Sequence, residues 1–200
     1  MKRTRLVATI LIAVLLCLSV CGCGQKISSP ALGDWAYIHD TATQILKLTD
    51  DGEAIYKGIS YKFTDDGTFI TLKSDKDEIK LRYVKDGEDL IVYEPTMYVY
   101  DGDTTPTGLI GTWKNAENNW SFEFTDNGEF KEDGYFPGYY TVNPDDGTFK
   151  LVYNDHFEDT TVFYSIDGKE LTIEYPWQMV PVGSESRTTT ETVESSSNGK

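Results

Sequence analysis

The chain has 200 residues, 18 basic and 33 acidic side chains, a formal net charge of −15 and three cysteines. So acidic a surface excludes nucleic acid as a partner, because phosphate backbones are held by basic patches, and it is repelled by anionic lipid headgroups. With two histidines and no zinc spacing, phosphate-binding glycine loop or nucleophile elbow, the sequence offers no expected catalytic residue, metal site or cofactor.

The first residues, MKRTR, carry Lys2, Arg3 and Arg5, and an almost wholly apolar run follows over residues 6–20. A basic start, a short apolar core and small residues at its end describe an export signal. The run falls short of the roughly 20 residues a spanning helix needs. It ends in "SVCGCGQ", with Cys21 and Cys23. A metal or redox pair of thiolates needs a folded scaffold and further ligands, and this pair abuts a hydrophobic leader. The stretch resembles the lipobox of bacterial lipoproteins. That resemblance implies removal of residues 1–22 as a signal peptide and a diacylglyceryl group on Cys23, the register with Gly22 before it; Cys21, with Val20 before it, is the alternative. Removing residues 1–22 takes away three basic and no acidic side chains, so the mature charge moves from −15 to −18. Residues 23–30 form a lipidated tether, and two acyl chains anchor it where one binds only marginally. The expected address is extracytoplasmic, at a bacterial cell membrane held by lipid.

The body, residues 31–181, has strand alternation and no helical period. Asp-Gly or Asn-Gly pairs begin at Asp51, Asp66, Asp86, Asp101, Asn127, Asp133, Asp146 and Asp167, each suited to the positive φ of a tight hairpin. These turns belong to an internal duplication. "ALGDWAY" (31–37) matches "LIGTWKN" (109–115), "LTDDGE" (48–53) matches "FTDNGE" (124–129), "TDDGTF" (64–69) matches "PDDGTF" (144–149), and "VKDGEDLIVYEP" (84–95) matches "SIDGKELTIEYP" (165–176), in order and at offsets of 78, 76, 80 and 81. Repeat 1 spans 31–95, a linker 96–108 and repeat 2 109–181. In repeat 1 we expect strands at 34–38, 44–48, 54–63 (with a break at Gly58), 68–73, 78–84 and 90–93. In repeat 2 we expect them at 112–114, 120–125, 130–142 (broken near Pro137–Gly138), 148–153, 160–166 and 171–175. The fold class is all-β: two antiparallel meander modules of about six strands each, as two small barrels or one shared barrel. A signal helix precedes them. A Ser/Thr-rich tail, 182–200, has too little apolar surface to fold.

Gly-x-Trp at the entrance of a first strand, as Gly33 and Trp35 or Gly111 and Trp113, followed by a meander with Asp-Gly turns, resembles lipocalin-like domains, in particular the short ones of extracytoplasmic lipoproteins. That resemblance implies a barrel whose base the Trp closes. "DGYFPGYYTV" holds Tyr135, Phe136, Tyr139 and Tyr140, a candidate surface for a ligand or partner, against the plainer reading of Tyr as strand packing. "SDKDE" (74–78) and "YDGDTT" (100–105) gather oxygen ligands but lack the glycine of an EF-hand loop. Acids beside turn glycines are explained by turn chemistry. The expected function is non-enzymatic: a lipid-anchored protein whose tandem modules bind a small ligand, a glycan or a protein. The alternatives are a structural envelope lipoprotein without a small-molecule ligand, and a carboxylate-dependent hydrolase.

Overall fold

A computed structural model describes residues 26–115, 117–155 and 157–185. The expected signal peptide, Cys21, Cys23, His156 and the tail from residue 186 lie outside the described residues. Fourteen antiparallel strands make up the body, with no helix among the described residues. They are β1 (Gly33–Tyr37), β2 (Leu46–Leu48), β3 (Glu53–Tyr56), β4 (Ile59–Asp65), β5 (Phe69–Lys73), β6 (Glu78–Asp86), β7 (Asp89–Tyr100), β8 (Gly111–Asn115), β9 (Ser121–Phe124), β10 (Glu129–Glu132), β11 (Phe136–Asn143), β12 (Thr148–Tyr153), β13 (Thr160–Asp167) and β14 (Glu170–Pro181).

Each repeat therefore has seven strands rather than six, because its long third run folds in two. In repeat 1 the break is a two-residue turn in which Lys57 (φ 50) and Gly58 (φ 81) are both left-handed, as a primed hairpin turn requires. In repeat 2 it falls at Asp133 (φ 50) and Gly134 (φ 71). Pro137 and Gly138 stay within β11, because the turn chemistry lies upstream of them.

Every strand pairs with its sequence neighbours, and β1 closes on β14. A further pairing, β7 with β14 over ten residues, pinches this ring into two. β1 to β6, the first half of β7 and the second half of β14 form one closed eight-strand barrel, barrel 1. β8 to β13, the second half of β7 and the first half of β14 form the other, barrel 2. Residues 96–100, expected as linker, are the strand that completes the partner barrel. Each barrel encloses its own core, one around Leu46, Leu72, Leu81, Leu90 and Met179, the other around Tyr98, Phe122, Phe124, Phe149 and Leu171. Each fully buried side chain of this kind contributes about 1.5–3 kcal/mol.

The ribbon fixes how the barrels face. β7 and β14 are repeat mates at an offset of 81, and their register makes Glu94 and Tyr175 both cross-strand partners and repeat mates. An approximate two-fold axis therefore passes between them. Trp35 and Trp113 mark the two bases. Each is buried, and each donates its indole N–H to a carbonyl four residues back, Ala31 O at 2.7 Å and Leu109 O at 2.6 Å. The glycines two residues before them, Gly33 (φ 140) and Gly111 (φ 122), hold backbone that side chains rarely adopt. Lys85 lies over the Trp35 ring, 4.9 Å from its centroid. β7 runs from base to mouth in barrel 1 and from mouth to base in barrel 2. The bases thus lie at opposite ends of a ribbon roughly 40 Å long, and the mouths meet at its middle.

Both ends of the described chain lie at the base of barrel 1. Ile27 N donates to Asp50 O (2.7 Å) in the β2–β3 turn, and Val182 N donates to Asp34 O (3.0 Å) at the start of β1. Gly183 N and Ser184 N also have backbone partners, so the tail's first residues continue the fold.

Candidate functional site

A cleft of about 1000 Å³ opens where the mouths meet. Its floor is the ribbon's inner face, with Glu94, Thr96, Tyr98, Tyr175 and Trp177 in one alternation phase. Turns supply the walls: Lys57 from β3–β4, Trp120 before β9, Asp133 from β10–β11, and Phe157 and Glu158 before β13.

On the barrel 1 side the cleft is closed by charge pairing. Glu94 is nearly buried, accepts from the Tyr37 hydroxyl (2.8 Å) and is paired with the Lys57 ammonium (2.9 Å). The same ammonium lies 5.1 Å from the Tyr56 ring centroid. Burial, then Glu94, pushes the Tyr37 hydroxyl well above the ordinary phenol range; Tyr56 is raised the same way. Tyr37 stacks on His39 at 5.4 Å, and Trp177 tilts against both.

The barrel 2 side is built differently. Glu132 accepts from the Tyr153 hydroxyl at 2.6 Å, and among the described residues no cation pairs with it. Burial pushes its carboxyl above the ordinary carboxylate range, against the opposing pull of the Tyr153 hydrogen bond. Tyr98 and Tyr175 meet hydroxyl to hydroxyl at 3.4 Å, and burial pushes Tyr98 up to about 12. Phe157 packs edge-on against Phe136 (4.9 Å) and Tyr153 (5.1 Å).

The four aromatic candidates do not form one surface. Phe136 lines the cleft. Tyr140, in the opposite phase to Tyr139, turns inward onto Phe124 (4.9 Å) and donates to Thr125 O (2.8 Å). Tyr139 is exposed beside a recess of about 250 Å³ on the outer wall, and Tyr135 stands 82% exposed at its turn. Gly33, Trp35, Gly111 and Trp113 are all at the bases, away from the cleft.

The turn acids hold turns. Asp51 is lowered by the Thr49 hydroxyl, and Asp66 by the amides of Phe69 and Thr68. In the two acidic clusters, Asp77 accepts from Ser74 and Tyr61, and Asp101 pairs with Lys114 at 2.6 Å. Among the described residues no group of three metal-ligating side chains occurs.

Sequence reasoning missed Glu94, Glu132, Tyr153, Tyr175 and Trp177. A signal existed for the two acids. Each continues an inward apolar phase, Leu90–Val92–Glu94 and Phe130–Glu132. An acid in a core phase is either paired or facing a cavity. No family model, curated protein or solved structure matches the chain.

Proposed function

We propose that this is a non-enzymatic, extracytoplasmic lipoprotein that binds a small ligand in the cleft between its barrel mouths. The observation that carries this reading is the cleft itself, a concavity of ligand size lined by aromatic rings with a few directed polar groups. The leader and "SVCGCGQ" support the anchor, with lipid on Cys23. Under that anchor the base of barrel 1, where residue 26 begins, faces the membrane, and the cleft stands one barrel length above it.

Two measurements test the reading. Incorporation of labelled palmitate is lost in Cys23→Ala and retained in Cys21→Ala; the reverse moves the anchor, and retention in both removes it. Nile red, a neutral dye, binds saturably with raised emission, and Thr96→Trp, which fills the cleft floor, abolishes binding without shifting the urea midpoint. Unchanged dye binding in that variant would place the site elsewhere.

A further inference from the structure

The repeat mates across the two-fold axis exchange their charges. On the barrel 1 side the ribbon supplies the carboxylate, Glu94, and the β3–β4 turn supplies the cation, Lys57, next to Tyr56. On the barrel 2 side the ribbon supplies Tyr175, and the matching turn positions are Glu132 and Asp133. The second half of the cleft thus has the carboxylate and the rings of the first half and, among the described residues, no ammonium. Five acids, Glu94, Glu117, Glu132, Asp133 and Glu158, line the cleft, and Lys57 is the one basic residue doing so among the described residues. Lys57 itself displays the preferred occupant: an ammonium on an alkyl stem, set between a carboxylate and an aromatic face.

We infer that the cleft takes an organic cation, a protonated amine on an apolar body, with its ammonium against Glu132 and its body on the rings of Tyr153, Phe157 and Trp120. This rests on the reading of the cleft as a ligand site. An anionic ligand would face four acids, Glu117, Glu132, Asp133 and Glu158, that have no cation partner among the described residues. A neutral one would leave Glu132 desolvated with a hydroxyl partner and no countercharge, whereas an ammonium supplies that countercharge. The apolar body is needed because seven of the lining side chains are aromatic: Tyr98, Trp120, Phe136, Tyr153, Phe157, Tyr175 and Trp177.

The test uses three probes that share one phenylbutyl group: 4-phenylbutylamine, 4-phenylbutanol and 4-phenylbutyrate, titrated calorimetrically into the mature chain without its lipidated cysteine, residues 24–200. The amine is expected to bind one to one and at least tenfold more tightly than the alcohol, and the acid not to bind. Glu132→Gln keeps an acceptor for Tyr153. It should weaken the amine about tenfold and leave the alcohol unchanged, while Glu88→Gln, at the β6–β7 turn, changes neither. Equal binding of amine and alcohol overturns the inference and leaves the ligand site standing. Binding of Nile red without the amine does the same. Absence of binding by all three probes and Nile red overturns both.

Discussion

Arg82 ties the two barrels together outside the ribbon. It projects from β6 of barrel 1, its guanidinium carbon lies 4.5 Å from the Phe69 centroid and 3.8 Å from that of Phe163 in barrel 2, and its Nε donates to Glu174 at 3.0 Å. Phe163 in turn meets Tyr93 edge-on at 5.1 Å. Both ionic partners are about a quarter exposed, so water screens them only in part. Two cation–π contacts at about 0.5–1 kcal/mol each and a charge-assisted hydrogen bond at about 1.5 kcal/mol put Arg82→Ala at about 2.5–3.5 kcal/mol. Arg82→Lys keeps the charge but loses the planar stack and the Nε donor, and should cost about 1–2 kcal/mol. Urea unfolding followed by circular dichroism reads the difference. With a slope of about 2 kcal/mol/M, the alanine variant should unfold more than 1 M earlier. A loss under about 0.5 kcal/mol, or equal losses for the two variants, would refute the clamp.

Gly138→Ala should destabilise by about 1–3 kcal/mol, as overpacking does: an added Cβ would meet Val152 O at 2.3 Å and Phe130 Cε1 at 2.5 Å. Phe130→Leu removes the ring contact alone and should not rescue it; rescue in urea unfolding would mean the carbonyl contact is unimportant. Trp113→Phe loses the bond to Leu109 O and leaves a buried acceptor unpaired, at about 1–3 kcal/mol by thermal or urea unfolding; a neutral result would remove the base hydrogen bond from the account. Glu132 has a raised pKa in the fold, so the stability it contributes is complete below the ordinary carboxylate range and lost as pH rises through the raised value. Glu132→Gln should therefore gain on wild type between pH 4 and pH 8 in urea midpoints, and a constant difference across that range would show that burial does not perturb the group.

What was legible follows from local physics. The duplication, the Asp-Gly hairpins and the all-β class rest on period-two alternation and positive φ, which are written into short stretches. Seven of the eight turn glycines do take positive φ; Gly102 does not, and it lies against the Tyr100 ring at the start of the long β7–β8 loop rather than in a tight turn. The strand exchange was hidden. Pro95 and Pro176 look like strand ends, since proline breaks a ladder. Here β6 pairs as far as Tyr93 and β8 begins at Tyr98, while β13 pairs as far as Glu174 and β1 begins at Met179. Each proline falls in the gap, where one edge has no neighbour to bond. A reciprocal substitution was hidden likewise. Barrel 1 sets Ala54 against Tyr61, and barrel 2 sets Phe130 against Gly138, so bulk passes across the strand pair with little change in filling. The cleft needed the ribbon to be seen, because residues about 80 apart form its floor.

If the cleft is the ligand site, ligand is held between the two mouths. Amide chemical-shift mapping of residues 24–200, titrated with 4-phenylbutylamine, tests this most directly. Shifts are expected to concentrate at residues 94–98, 131–136, 151–155, 157–160 and 175–177, with the Trp35 and Trp113 bases silent. Shifts centred on the bases, or spread over the outer wall around Tyr139, would contradict it.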